Sequence, residues 1–173
     1  MKKLLLIFFC LPILGLGQIK KINNTNSSTE IEIGRLADRL GVLGEMKLLK
    51  YNYHESKKVT YKVSFKNLKY MNLNQYSSFE FIETGEDFES LYNMILEGFD
   101  LPKGEVLYKH ALNYKIYNEI LIDIGNDRVV YLMYGKKGFA PITFKFLYKD
   151  EYGVESWSLW LNKKQISKLF GKK

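Results

Sequence analysis

From Val59 to Lys66 the chain alternates without a break: Val59, Tyr61, Val63 and Phe65 are apolar, while Thr60, Lys62, Ser64 and Lys66 are polar. On a helix these eight residues would scatter both classes around the axis; on a strand they sort into one dry face and one wet face. The same period of two recurs over residues 31–35, 46–53, 78–82, 114–124, 129–134, 142–149 and 154–161. Short joints rich in Gly, Asn and Asp separate the later runs, at 125–127, 135–138 and 150–153. Connections so short suit hairpins, so the expected sheet is mainly antiparallel.

Two segments change to helical spacing. Phe88, Leu91, Tyr92, Ile95, Leu96 and Phe99 fall on one face of a helix. Thr84 is expected to cap its start, with Asp87 in the first turn, and Gly98 and Pro102 to mark its end. A shorter helix carries Ile166, Leu169 and Phe170, with Asn162 as cap, Gln165 three residues on and Gly171 as the stop. The predicted fold is therefore α+β: a twisted, mainly antiparallel sheet of about seven to nine strands, or two such sheets, with two amphipathic helices packed on it. Setting Ser78 against Ser156 aligns Phe79 with Trp157, Thr84 with Asn162 and Leu91 with Leu169, a pattern that an internal duplication of a strand-and-helix unit would leave.

The N-terminus carries its own information. Lys2 and Lys3 precede an apolar run from Leu4 to Leu14, and small residues stand at Gly15 and Gly17. That is the three-part pattern of a cleavable signal peptide, with cleavage expected after Gly17. The run is shorter than the roughly 20 residues a spanning helix needs, and Pro12 interrupts it, so no transmembrane anchor is expected. Phe8 and Phe9 before Cys10 do not resemble the small residues that precede a lipoprotein cysteine. The leader resembles those of exported bacterial proteins whose mature chain begins with Gln, here Gln18. The polar stretch 18–29 reads as a flexible leader to a single domain over 30–173. Export implies a periplasmic or extracellular destination.

Loss of 17 residues from 173 leaves 156, enough for one core but short for two domains. It also removes the only cysteine, so disulfides cannot brace the mature chain. The full chain carries thirteen Tyr, eleven Phe and two Trp, of which only Phe8 and Phe9 fall in the leader, and the rest supply the material for a core instead. The formal net charge falls from +7 to +5 with the loss of Lys2 and Lys3. Such a field suits an anionic envelope component or an acidic partner protein. Arginine occurs only at 35, 39 and 128, and with export this argues against nucleic acid as partner.

Chemistry-bearing groups are few. His54 and His110 each lack the close partner of a metal motif, and no Gly-x-Ser-x-Gly elbow exists. No cofactor or metal site is expected. Glu83, Glu86, Asp87 and Glu89 cluster where a helix begins, which suits its dipole without any catalytic role. Asp123, Asn126 and Asp127 fit a hairpin turn better than a calcium loop. The candidate binding residues are four lysines, Lys62, Lys66, Lys145 and Lys149, and the strand aromatics Tyr114, Tyr117 and Trp157, with Tyr131 beside them. On one wet face the lysines would form a basic stripe, although lysine more commonly keeps a sheet soluble and guards its edges. Aromatics on strands apolar on both sides imply either a second covering layer or an exposed patch. The function expected is a non-enzymatic exported module that binds a protein or an envelope component. Two alternatives stand beside it: a small envelope-polymer hydrolase using paired carboxylates, and an inhibitor or immunity-like protein.

Overall fold

The computed structural model describes residues 27–37, 44–100, 106–110 and 113–172. The signal peptide, the bond after Gly17, Arg39 and Pro102 lie outside the described residues. Nine strands and two helices follow in order: β1 Ser28–Ala37, β2 Glu45–Tyr53, β3 Val59–Lys66, β4 Tyr76–Ile82, α1 Asp87–Asp100, β5 Tyr108–His110, β6 Tyr114–Asp123, β7 Val129–Lys137, β8 Thr143–Lys149, β9 Glu155–Trp157 and α2 Lys163–Leu169. A 3-10 turn at Leu68–Tyr70 joins β3 to β4. The fold is α+β, with two antiparallel sheets ordered β1-β2-β3-β4 and β5-β6-β7-β8-β9. β1 begins at Ser28, inside the stretch read as leader.

In the first sheet the alternation acts as expected. Leu36, Met46, Leu48, Tyr61, Val63, Phe65 and Phe79 all point into one shared core, and Leu48, Val63 and Phe79 stand in adjacent register. The second sheet presents Val130, Leu132, Tyr134, Phe144, Phe146 and Tyr148 to the same core, and Phe79 meets Phe146 at 5.3 Å between ring centroids. Helix α1 lies on β7 and β8, where Phe99 meets Tyr134 edge-on at 5.5 Å. Helix α2 lies on β1 and β2. Gly34 makes that approach possible, because a Cβ there would stand 2.2 Å from the Leu169 carbonyl oxygen.

The helix caps divide. Asn162 closes a full capping box with Gln165, as its spacing implies. Thr84 does not cap α1. Its N–H and hydroxyl both donate to the Asp87 carboxylate, and the Glu83 carboxylate accepts from the N–H groups of Asp87 at 2.9 Å and Phe88 at 3.1 Å. A carboxylate reaching forward satisfies two orphan donors, where a hydroxyl would satisfy one.

The element order repeats: β1–β4 then α1, and β6–β9 then α2, each a four-strand meander followed by a helix. The aligned Phe79 and Trp157 nevertheless occupy unlike faces, Phe79 in the shared core and Trp157 in a second cluster. No helix among the described residues is long and apolar enough to cross a membrane.

Candidate functional site

The second sheet is apolar on both faces because it is curled. Neighbouring strands are about 4.8 Å apart, so the edges of a flat five-stranded sheet would be roughly 19 Å apart. Here His110 on β5 and Trp157 on β9, the two opposite edges, have ring centroids only 4.6 Å apart. The face turned away from the main core thus becomes the inside of a half-barrel, holding Ile116, Met133 and Leu147 with Tyr114, Tyr131, Trp157 and Trp160.

Two bulges aim side chains into this lumen. In β6 the register slips between Ile116 and Asn118, so Tyr117 is the extra residue, and Tyr114 and Ile116 face the lumen while Ile120 and Ile122 face the core. After β9, the three steps from Leu147 back to Phe144 are matched by four, from Trp157 to Leu161. Trp157 and Trp160 would oppose each other on a regular strand; the slip returns both to the lumen and leaves Leu161 in the core. The run 154–161 is therefore not one continuous strand: β9 ends at Trp157 and a single bridge follows at Leu161.

Between the two tryptophans stands Lys145, 2 % exposed, its Nζ 4.5 Å from the Trp157 ring centroid and 5.0 Å from that of Trp160. The amine makes a close hydrogen bond with His110 Nε2. No carboxylate among the described residues is within ion-pair distance of it. Glu155 is held by Lys69 at 3.1 Å, and Glu119 accepts from the Tyr108 hydroxyl at 2.9 Å. Burial pulls the Lys145 ammonium down to about 7, against the more distant pull of Glu155 and Glu119. Burial first, then the Lys145 charge, brings His110 down to about 4. Near neutral pH the pair is therefore a neutral imidazole beside an amine poised between its two forms. A cavity of about 250 Å³ opens here, lined by Leu68, Met71, His110, Lys145, Trp157, Ser158 and Trp160. The Trp157 indole N–H is buried with no acceptor among the described residues.

The basic stripe does not form. Lys62 projects from the first sheet and pairs with Glu80 at 3.0 Å, and Lys66 lies on that same strand. Lys145 is inside the lumen of the second sheet, and Lys149 is half-buried at the end of β8. Tyr114 stacks on Trp160 at 4.3 Å, and Tyr117 carries the Lys136 ammonium 5.2 Å from its ring. Tyr114, Trp157 and Lys145 are thus brought together, while Tyr117, Lys62, Lys66 and Lys149 are not. His110, read as a solitary strand-edge histidine, has Lys145 as its partner. The pairing was foreshadowed only by the apolar residues that share the face of Lys145, namely Leu147, Met133 and Trp157.

A second depression lies between the sheets. One wall is β4 and α1, with Phe81, Leu91 and Met94; the other is the β6–β7 hairpin, with Ile122, Ile124 and Val130. It encloses about 330 Å³ and continues into a more polar porch bearing Tyr53, Lys58, Glu80 and Arg128. The seam between the sheets is closed at the other end, where Asn67 donates to Ser156 Oγ and accepts from the Trp157 backbone N–H, and Ser77 meets Ser156 at 2.8 Å. The edge of β4 along the open end is unpaired among the described residues. Glu83 donates to Val59, so the alternation of the ladder turns the backbone groups of Ile82 and Glu80 toward the cleft.

In the acidic cluster before α1, Glu83 caps the helix, Asp87 accepts from Thr84 and Glu89 pairs with Lys172, and Asp123 accepts from the Gly125 N–H in its turn. Among the described residues no three His, Cys, Asp or Glu side chains converge to hold a metal. No protein-family model, curated protein or solved structure matches the chain, and the chemistry of these two places is what speaks to function.

Proposed function

We propose that the chain is an exported, non-enzymatic binding module whose partner is a protein, and that it grips an extended, apolar segment of that partner in the cleft beside β4. What carries this reading is the coincidence of an unpaired strand edge with an apolar depression. An incoming strand finds main-chain donors and acceptors on Glu80 and Ile82, and one of its side chains finds Phe81, Leu91, Met94 and Ile124. Alternating anchoring of this kind gives affinity through the backbone and selectivity through the pocket. Ile82, 46 % exposed at the lip, is the sort of residue an unoccupied edge usually avoids.

Selection of extended peptides from a random display library on the purified mature chain tests it. Recovered sequences should converge on an apolar residue flanked by strand formers. Ile82→Pro removes an N–H that faces the cleft and not β3, so it should spare the fold and cut binding about tenfold or more. Ser90→Trp, placed on the helical wall, should have the same effect by filling the depression. Peptides that bind both variants as well as the parent chain would sink the reading. Export has its own check: material recovered outside the cytoplasm should begin at Gln18, and a cytosolic species retaining Met1 would contradict it.

A further inference from the structure

The half-barrel lumen, separate from the β4 cleft, holds a reactive constellation of its own. We infer that Lys145 is a carbonyl-capture site: its amine, set in an aromatic lumen against His110, takes up a small apolar aldehyde as an imine. Four observations lead here. The amine is buried at the centre of β8, with no carboxylate within pairing distance among the described residues. The imidazole of His110 lies within hydrogen-bond distance of it, and in the tautomer with the proton on Nδ1 its Nε2 accepts from the amine. A cavity of about 250 Å³ adjoins it, large enough for a ring and a formyl group. Trp157 lines that cavity, and its buried indole N–H has no acceptor among the described residues, an unmet donor that an oxygen-bearing guest could use.

The chemistry balances without any further reagent. The Nζ lone pair attacks the carbonyl carbon and forms the C–N bond, and the C=O π pair moves to oxygen. His110 Nε2 takes a proton from Nζ and passes it to the oxygen, yielding the neutral carbinolamine. The nitrogen lone pair then expels the hydroxyl, which takes a proton from solvent and leaves as water; the iminium N–H proton returns to solvent through His110, so that one amine plus one aldehyde become one imine plus one water with no change of oxidation level. A desolvated lysine in an apolar pocket is a recognised way of making such a nucleophile. The groups facing it that could alter its charge are His110 and Tyr108 from β5, Glu119 from β6, Tyr131 from β7, Glu155 from β9 and Lys69 from the 3-10 turn.

The test uses the full mature chain, benzaldehyde and sodium cyanoborohydride at pH 7, with peptide mapping by mass spectrometry. An ordinary exposed lysine is about 0.04 % neutral at that pH, and Lys145 is close to half neutral. Its initial labelling rate should exceed that of exposed lysines such as Lys58 and Lys109 by about tenfold or more. Its rate should level off above about pH 8, whereas labelling of an ordinary exposed lysine keeps rising toward pH 10. Pyrenecarboxaldehyde, too large for the cavity, should label only the surface. Lys145→Arg should lose the fast event and keep the slow ones. Three results would overturn the inference: no label on Lys145 in the folded chain, a Lys145 rate that climbs in parallel with the surface lysines, or equal labelling by the bulky aldehyde.

Discussion

Lysine in mid-strand normally lets its ammonium reach water along the flexible stem, and Lys145 cannot, because the curl of its own sheet closes over it. Read as sequence, Phe144, Lys145 and Phe146 give a dry, wet, dry alternation, and the wet face is the natural expectation. That expectation holds for Lys62, whose partner across the ladder is Glu80. It fails for Lys145, whose ladder partner is Met133 and whose face also carries Leu147. The consequence is measurable. With its pKa lowered to about 7 from the ordinary 10.5, the folded chain holds fewer protons than the unfolded one between those two pH values. Stability therefore rises with pH across that window, and the burial cost is fully present below about pH 7. Lys145→Met removes the cost and keeps most of the volume. We expect it to stabilise the chain by roughly 1–3 kcal/mol at pH 7, with the gain gone by about pH 10, in urea titrations at both pH values. His110 acts in the same direction at lower pH, since its folded value of about 4 lies below the ordinary 6.5 and stability falls as pH drops between them. If Lys145→Met is equally destabilising at both pH values, the amine contributes through its contacts and not through its charge.

At the scale of elements, strand and helix periodicities were legible, and the interruptions were not. Strands β2, β3 and β8 match runs of alternating polarity almost residue for residue, because each keeps one face on the core, while β7 runs on to Lys137 through residues that read as a joint. The three-residue β5 is too short to show a period. The bulges at Tyr117 and after Trp157 exchange faces by adding one residue, a change that alternation alone cannot distinguish from an end of strand. They decide the lumen, so the site with the most distinctive chemistry was the least readable. Gly98 is a similar case: it reads as a helix stop, yet it lies within α1, where Tyr134 needs the space. The Tyr134 hydroxyl donates to the Ile95 carbonyl at 3.1 Å, and a Cβ on Gly98 would stand 2.1 Å from its ring. Gly98→Ala gains about 1 kcal/mol of helix propensity. It loses more, since overpacking costs about 1–3 kcal/mol and a displaced buried hydroxyl costs a similar amount. A net destabilisation of about 2 kcal/mol is expected from denaturant midpoints; a stabilised variant would mean that Tyr134 can withdraw without loss.

Across the whole molecule, the repeated order of meander and helix invites the idea that either half could stand alone, and the packing argues the reverse. Each helix reaches across to the other sheet: α1 stacks Phe88 on Tyr61 of the first sheet but lies along β7 and β8, while α2 follows the second and lies on β1 and β2. The helices also meet each other, Tyr92 on Phe170 at 5.3 Å and Tyr92 to Ser167 at 3.0 Å, with Lys163 bound to Asp100 at 2.7 Å. An exchange of this kind leaves neither half a complete core. A segment from Gln18 to Asp100 would keep four strands and α1, but Ile95 and Phe99 would lose Tyr134 and Phe144, and the inner face of β1 would lose α2. Its buried apolar surface would then fall below what offsets the chain entropy of so short a domain. We expect this segment to show no cooperative thermal transition by circular dichroism, while the segment from Gln18 to Lys173 melts in one step. Mixing it with the complementary segment from Leu101 to Lys173 should restore a transition whose midpoint rises with concentration, because the two pieces share one core. A first segment that melts cooperatively by itself would show instead that the duplicated order reflects two separable units.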